Sequence, residues 1–147
     1  MTEYNDENGM FEKQVLTDEL AEQEFARMLR AARVKWHVYE TVHGKRDVEA
    51  DKAIVVDAIM YGQIELNDEG FPTINTLHEN EKLKRVVMRG RSSAVNWLSM
   101  DRIPEGQEIK KLYSVIGKAF GLTAAELGAL EDADLNVIKA VWSIFLG

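Results

Sequence analysis

The side chains that could do chemistry in this chain do not fall at the spacings that the chemistry requires. His37 and His43 are six residues apart, which places them on different faces of a helix, and His78 is far from both in the sequence. The chain has no cysteine, so disulfides and thiolate-ligated zinc are excluded. We expect His43 to act as a cation near a helix end. The sequence predicts no metal site and no cofactor.

Two pairs of carboxylates are close in sequence, Asp68 with Glu69 and Asp132 with Asp134. Both pairs occur where a turn or a helix start is expected, so hydrogen bonds to the local backbone explain them better than acid–base catalysis does. No glycine-rich phosphate loop follows a predicted strand, and no serine or threonine has an evident activating base. We therefore expect a binding protein and not an enzyme.

A basic segment is the strongest candidate for binding. Positions 82–91 hold five cations and no acid, and the other residues there are uncharged. The cations are Lys82, Lys84, Arg85, Arg89 and Arg91. A nucleic acid or an acidic partner could bind there, whereas an exposed edge strand would use the same charges against aggregation. The net charge of −7 argues against nucleic acid. The protein's own acidic leader is another candidate occupant.

The acidic residues are concentrated at the start of the chain. Residues 1–24 hold eight acids and one base, and the rest is balanced at 17 of each. We expect residues 1–16 to form an acidic, disordered leader. No apolar run approaches the roughly 20 residues of a membrane span, and the start does not resemble a secretory signal. The sequence therefore predicts a cytoplasmic protein without membrane contact.

Residues 17–147 predict one α+β domain, mainly helical, with five or six helices and a small antiparallel β-hairpin sheet. We divide it into a helical N-terminal extension, 17–62, and a strand–helix region, 63–147. The extension is expected to hold two helices. The first is capped by Thr17 and ends at Gly44, and the second runs from Val48 to Tyr61 between Asp47 and Gly62.

The strand–helix region begins with a hairpin. Ile64 and Leu66 alternate with polar residues before the turn Asn67–Gly70. Pro72 cannot donate to a ladder, so we expect the returning strand at a sheet edge, with a further strand at 82–91. Four helices should follow, starting at Ser92 or Ser93, near Ile109, after the capping box Thr123–Glu126, and at Asp132 or Asp134. The last is so broadly apolar that we expect it in the core or against a partner.

The first long helix has more apolar surface than one buried face requires. Its main stripe contains Phe25, Met28, Leu29, Trp36 and Tyr39, and a second line, about 100° away on the helical wheel, is formed by Leu20, Val38 and Val42. We expect this second line to support self-association or to contact a partner.

Residues from about 63 to the C-terminus resemble the tail assembly chaperones of tailed bacteriophages, in particular the tail protein E type of Mu-like and other contractile-tailed phages. The family pattern "Leu-Arg-x-x-Thr-x-x-Asp" corresponds to Val87-Met88-Arg89-Gly90-Arg91-Ser92-Ser93-Ala94. A "Leu-Thr-Gly-Leu" turn corresponds to Ala119-Phe120-Gly121-Leu122-Thr123. An "x-Leu-x-x-Leu-x-x-x-Asp" segment corresponds to Glu126-Leu127-Gly128-Ala129-Leu130-Glu131-Asp132-Ala133-Asp134, and a closing Phe-Leu to Phe145-Leu146. The family's proline and acid after the arginine are replaced here by Gly90-Arg91-Ser92-Ser93.

The resemblance implies a non-enzymatic chaperone that coats the tape measure protein while tail tube subunits polymerise. It implies a role in the host cytoplasm and absence from the mature virion. The tail tube protein is a further implied partner. Two other functions are kept as alternatives: a small DNA-binding regulator, and a structural tail-completion or capsid-joining protein.

Overall fold

Helices dominate the fold, and a three-stranded antiparallel sheet packs among them. The computed structural model describes residues 11–88 and 108–146. Within them the elements are α1 Asp18–Ala32, α2 Trp36–His43, α3 Lys45–Met60, β1 Ile64–Leu66, β2 Pro72–Asn75, α4 Glu81–Lys84, β3 Arg85–Val87, α5 Glu108–Phe120, α6 Ala124–Gly128 and α7 Asp132–Leu146. The predicted α+β, mainly helical class is confirmed.

The described residues contain seven helices, and not five or six, mainly because the first long helix is broken. Thr17 caps α1 as predicted, since its hydroxyl accepts from the Leu20 amide at 3.2 Å. Arg33 then adopts a left-handed conformation, with φ of 59° and ψ of 39°. Its amide donates to the Arg30 carbonyl and the Val34 amide to the Leu29 carbonyl, which is the Schellman pattern of a helix end. The single-helix prediction was wrong.

Packing of an aromatic side chain explains the break at Arg33. The Trp36 ring meets the edge of the Phe25 ring, with 5.5 Å between centroids. In one continuous helix these two residues would be about 16 Å apart along the axis. The chain must therefore turn between them, so that α2 does not extend α1 and packs mainly on α3.

The second helix starts earlier than predicted. Gly44, with φ of 90°, separates α2 from α3, and α3 begins at Lys45 rather than at Val48. Asp47 consequently lies in the first turn and is not the cap. The end is close to the prediction, because α3 stops at Met60 and Gly62 has φ of 83°.

The predicted hairpin is present. Ile64 pairs with Ile74 in the β1–β2 register. The Asn67 side chain accepts from the amides of Glu69 and Phe71 and so shapes the turn. Gly70 has φ of 91°, and a Cβ there would lie 3.0 Å from the backbone of α1. Glycine therefore lets the turn pack directly on that helix.

Pro72 does not mark a sheet edge. The strand order is β1–β2–β3, so β2 is central, and the edge prediction was wrong. Pro72 is the first residue of β2, where a missing donor is tolerated, and its carbonyl accepts from the Met88 amide at 3.1 Å.

The strand predicted at 82–91 is shorter and starts later. Residues 81–84 form the helical turn α4, whose cap is Asn80, because its side chain accepts from the Lys82 amide at 2.9 Å. The strand β3 covers Arg85–Val87 and pairs with β2. The continuation through Arg91 and the helix predicted from Ser92 or Ser93 lie outside the described residues.

The last helix is the centre of the core. It packs against α1, α3, α5 and β2. The predicted capping box precedes it, since Thr123 and Glu126 exchange side-chain to backbone hydrogen bonds at the start of α6. Buried side chains from both sequence regions join one cluster, of which the largest fully buried members are Met28, Val48, Val55, Ile64, Ile74, Val86, Val115, Ile116, Leu127, Ile138, Val141 and Ile144.

The end of the expected leader is attached to the fold. The amides of Val15 and Leu16 both donate to the Met60 carbonyl, at 2.8 and 3.2 Å. The expected disorder of residues 1–10 lies outside the described residues. Among the helices within 11–88 and 108–146, none combines the length and the apolar character of a membrane-spanning segment.

Candidate partner-binding surfaces

The predicted apolar line is exposed, but it is not one line. Val38 and Val42 lie one turn apart on α2 and retain 48% and 70% of their surface in solvent. Leu20 is also exposed, at 46%, but it lies on α1. Because the chain turns at Arg33, the helical wheel that joined all three residues does not apply.

Aromatic stacking fixes which face of α2 points outward. Trp36 packs on Phe25, Tyr39 stacks on Trp36 with centroids 5.4 Å apart, and His43 stacks on Tyr39 at 4.6 Å. Tyr39 and His43 follow one side of the helix, and the valine pair follows a line about 100° around it. We call Val38 and Val42 the α2 valine pair.

The cations of the basic segment that the structure describes are paired with the protein's own carboxylates. Three of its cations form ion pairs with carboxylates: Lys82 with Glu126 at 2.7 Å, Lys84 with Glu81 at 3.4 Å and Arg85 with Glu65 at 3.4 Å. Arg89 and Arg91 lie outside the described residues. The Lys82 ammonium, and then the Thr123 amide, hold the pKa of Glu126 below its ordinary value. The same carboxylate therefore serves the capping box and the basic segment.

The acids near the leader pair with other bases. Glu22 contacts Lys52 at 3.3 Å and Glu24 contacts Arg27 at 2.7 Å. The Arg27 guanidinium holds the pKa of Glu24 below its ordinary value through this hydrogen bond. Glu22 and Glu24 belong to α1, whereas Glu3, Asp6 and Glu7 of the leader lie outside the described residues, so the leader stays a candidate occupant of the basic segment.

A groove of about 560 Å³ joins the leader to the basic segment. Its lining includes the apolar side chains of Phe11 and Val15, the ring of Tyr61 and the cations Lys84 and Arg85. Apolar and cationic groups in one concave surface suit an extended acidic peptide with an apolar side chain. The described cations there already face their own carboxylates, so such a ligand would have to displace them.

A second concavity was not predicted from the sequence. It lies between the α2–α3 junction and α7, has a volume of about 270 Å³ and is lined by Tyr39, His43, Asp47, Val48, Asp51 and Ser143. We call it the acidic pocket. The spacing of Asp47 and Asp51, one helical turn apart, was a signal that could have indicated it. The contribution of Ser143, more than 90 residues away in sequence, could not be foreseen.

The acidic pocket raises the pKa of two of its groups. Burial raises the pKa of Asp51 above its ordinary value, the Asp47 carboxylate adds to this increase, and His43 opposes it. Burial, and then the negative charge of Asp51, raises the pKa of Tyr39 to about 12. At neutral pH the phenol is therefore protonated.

The other carboxylates considered in the sequence have structural positions. Asp134 is buried at the start of α7 and accepts a hydrogen bond from the Gln63 side chain at 2.8 Å. Burial raises its pKa above the ordinary value, an effect that the Leu77 amide counteracts. Asp68 and Glu69 are exposed in the hairpin turn. Across residues 11–88 and 108–146, no three His, Asp or Glu side chains are grouped as metal ligands.

In comparisons with known proteins, no family model, no curated protein and no solved structure matches this chain. The resemblance to tail assembly chaperones consequently rests on the sequence segments quoted above and on nothing else.

Proposed function

We propose that this protein is a non-enzymatic tail assembly chaperone of a tailed bacteriophage, and that it binds the tape measure protein in the host cytoplasm. The choice of partner is supported by the resemblance of the strand–helix region. A binding role is supported by one structural observation, the exposed valine pair on a helix whose adjacent side, about 100° around, is anchored by stacked aromatic rings. The tail tube protein is a second partner in this proposal.

The α2 valine pair suits a helical partner. Val38 and Val42 form a short apolar ridge, and a long amphipathic chain presents apolar residues at the same spacing of one turn. Two valines bury little area, so the affinity of a single site is modest. Many copies along one tape measure chain would bind it effectively and still be displaced by tube subunits.

The DNA-binding alternative is disfavoured by the ion pairs of the basic segment. A DNA phosphate would have to displace the carboxylates from Lys82, Lys84 and Arg85, and the net charge of −7 would oppose its approach. A gel shift on random duplex DNA that weakens steeply with salt would favour this alternative over the chaperone.

Co-expression with the tape measure protein of the same phage tests the proposal. We expect the wild-type protein to keep the tape measure chain in the soluble fraction and to copurify with it. The double variant Val38→Glu/Val42→Glu should lose both effects, because two carboxylates would have to be desolvated in the contact. Ile54→Glu is the matched control, since Ile54 is also an exposed apolar residue, at 38%, but lies on α3.

Equal copurification of the folded double variant and the wild type would contradict a role for the valine pair. Purified virions provide the second measurement. A chaperone should be absent from them, whereas a tail-completion or capsid-joining protein would remain in stoichiometric amounts.

A further inference from the structure

The lining of the acidic pocket has two carboxylates and one histidine, His43, and no lysine or arginine. Asp47 and Asp51 lie one turn apart on α3, so their side chains project from the same side of the helix. No described residue forms an ion pair or a hydrogen bond with either side chain. A carboxylate that faces open water needs no partner in the protein, because water hydrates its charge. These two line a concavity with Tyr39 and Ser143, and Asp51 is partly buried.

The Tyr39 hydroxyl adds a third polar group that a ligand in the pocket could contact. Tyr39 is only 4% exposed and its side chain lines the pocket. Its ring is held between Trp36 and His43, but its hydroxyl makes no hydrogen bond to any described residue. The Tyr39 hydroxyl is not among the polar side-chain atoms cut off from solvent, so it opens into the pocket and can bond to a ligand there.

The chemistry of the lining points to a donor with positive charge. Carboxylates accept hydrogen bonds and do not donate them, and the phenol and serine oxygens can also accept. Burial raises the pKa of Asp51, and the like charge of Asp47 adds to the increase; a cation between the two carboxylates would relieve their repulsion. Because no cluster of three metal-ligating side chains exists in the described residues, the lining suits an organic cation better than a metal ion.

We propose that the acidic pocket is a binding site for a guanidinium group, held by Asp47 and Asp51 and by the Tyr39 hydroxyl. Guanidinium is planar and offers five N–H donors in a fixed fork, which can satisfy two carboxylates and a further oxygen together. A volume of about 270 Å³ admits such a small planar group. The inference goes beyond the proposed function and does not depend on it.

A titration followed by ¹H–¹⁵N spectra tests the site, with methylguanidinium as the probe and the full chain as the protein. We expect saturable shifts of the amides around Tyr39, Asp51 and Ser143. Asp51→Asn and, separately, Asp47→Asn should weaken binding about tenfold or more, because each removes a charge-assisted hydrogen bond. Tyr39→Phe should weaken it about threefold while the ring stacking remains.

Glu49→Gln is the matched control. It removes one negative charge from the same helix, and Glu49 is exposed and lines a different concavity, so methylguanidinium affinity should change by less than about twofold. Shifts that do not saturate would overturn the proposal. So would equal affinity of the wild type and both folded aspartate variants, or the same loss in Glu49→Gln as in Asp51→Asn.

A second arm identifies the source of the guanidinium group. The blocked tripeptide Ala-Arg-Ala is compared with methylguanidinium and with the tripeptide in which citrulline replaces arginine. Tighter binding of the arginine peptide supports an arginine side chain of a polypeptide, and tighter binding of methylguanidinium supports a free small molecule. Equal binding of the arginine and citrulline peptides would overturn the site, because citrulline has the same shape without the charge.

Discussion

Helices α7 and α2 are both rich in apolar residues, but they use them in different ways. In α7, Leu135, Ile138, Val141 and Phe145 are all buried, because α1, α3, α5 and β2 cover the helix on several sides. In α2, only Tyr39 is buried. The difference lies in the number of neighbours that cover each helix, and not in the apolar character of its residues.

This contrast separates two kinds of apolar helix. A helix covered on several sides contributes to the free energy of unfolding through each large side chain. A helix anchored on one side can present the other side to a partner, at little cost to stability. Four predictions test whether α7 and α2 behave in these two ways, starting with the largest expected effect.

Trp142→Ala in α7 should lower the free energy of unfolding by about 3–5 kcal/mol, because it leaves a cavity in the core. Trp142 is 7% exposed. Val42→Ala in α2 is the comparison and should change stability by less than about 0.5 kcal/mol, since Val42 is 70% exposed. Chemical denaturation of both variants measures the difference. If Trp142→Ala and Val42→Ala lowered the free energy of unfolding by similar amounts, the exposed side of α2 would have to be covered as α7 is.

Asp134→Asn removes the buried carboxyl group of α7. The free energy of unfolding of the wild type, relative to that of this variant, should be higher at low pH than at neutral pH. Burial raises the folded pKa of Asp134 above its ordinary value of 3.8, so the folded state holds this proton more tightly than the unfolded state does. The stabilisation that comes from this protonation is complete below pH 3.8, and it is lost as the pH rises through the folded pKa of Asp134. Denaturation of both proteins across this range measures it, and a pH-independent difference would show that the folded pKa is not raised.

Arg33→Gly should raise the free energy of unfolding by about 0.5–1 kcal/mol, because glycine adopts the left-handed conformation without the strain of a side chain. Arg30→Gly is the matched control. Arg30 is exposed in the last turn of α1, where glycine should destabilise the helix by about 1 kcal/mol. Melting curves compare them. Destabilisation by both variants would mean that the turn at Arg33 does not exist in solution.

Val38→Glu should have the smallest effect on the folded monomer, below about 0.5 kcal/mol, because Val38 is half exposed. It should nevertheless weaken self-association, which we expect for the wild type as dimers or higher oligomers. Sedimentation equilibrium at high micromolar concentration measures both. A wild type that stays monomeric there would leave the valine pair to a different partner.

Local signals in the sequence located two helix caps that depend on local hydrogen bonds, although the cap predicted at Asp47 was wrong. Thr17 and the Thr123–Glu126 capping box act within three residues, and both caps were predicted. The turn at Arg33 has no glycine or proline to mark it, and it depends on the contact between Phe25 and Trp36. The position where α1 ends therefore depends on packing between residues distant in sequence, which helical periodicity does not report.

The candidate sites show the same limit. Periodicity identified Val38 and Val42 as surplus apolar residues, and their exposure agrees with that expectation, although partner binding stays a prediction. The ion pairs of the basic segment were missed, because Glu65 and Glu126 come from other elements. The acidic pocket was missed because it forms only when Ser143 of α7 lies beside the α2–α3 junction.

The hydrogen bond between Gln63 and Asp134 spans 71 residues of chain. During translation α1 and α3 leave the ribosome well before α7, the helix that covers their apolar faces. At about 5–20 residues per second, this interval lasts roughly 4–14 seconds. For that time the nascent chain exposes the surfaces that later form its core, so the rate of synthesis of residues 64–134, and any chaperone of the host that meets the nascent chain, should influence the yield of folded protein.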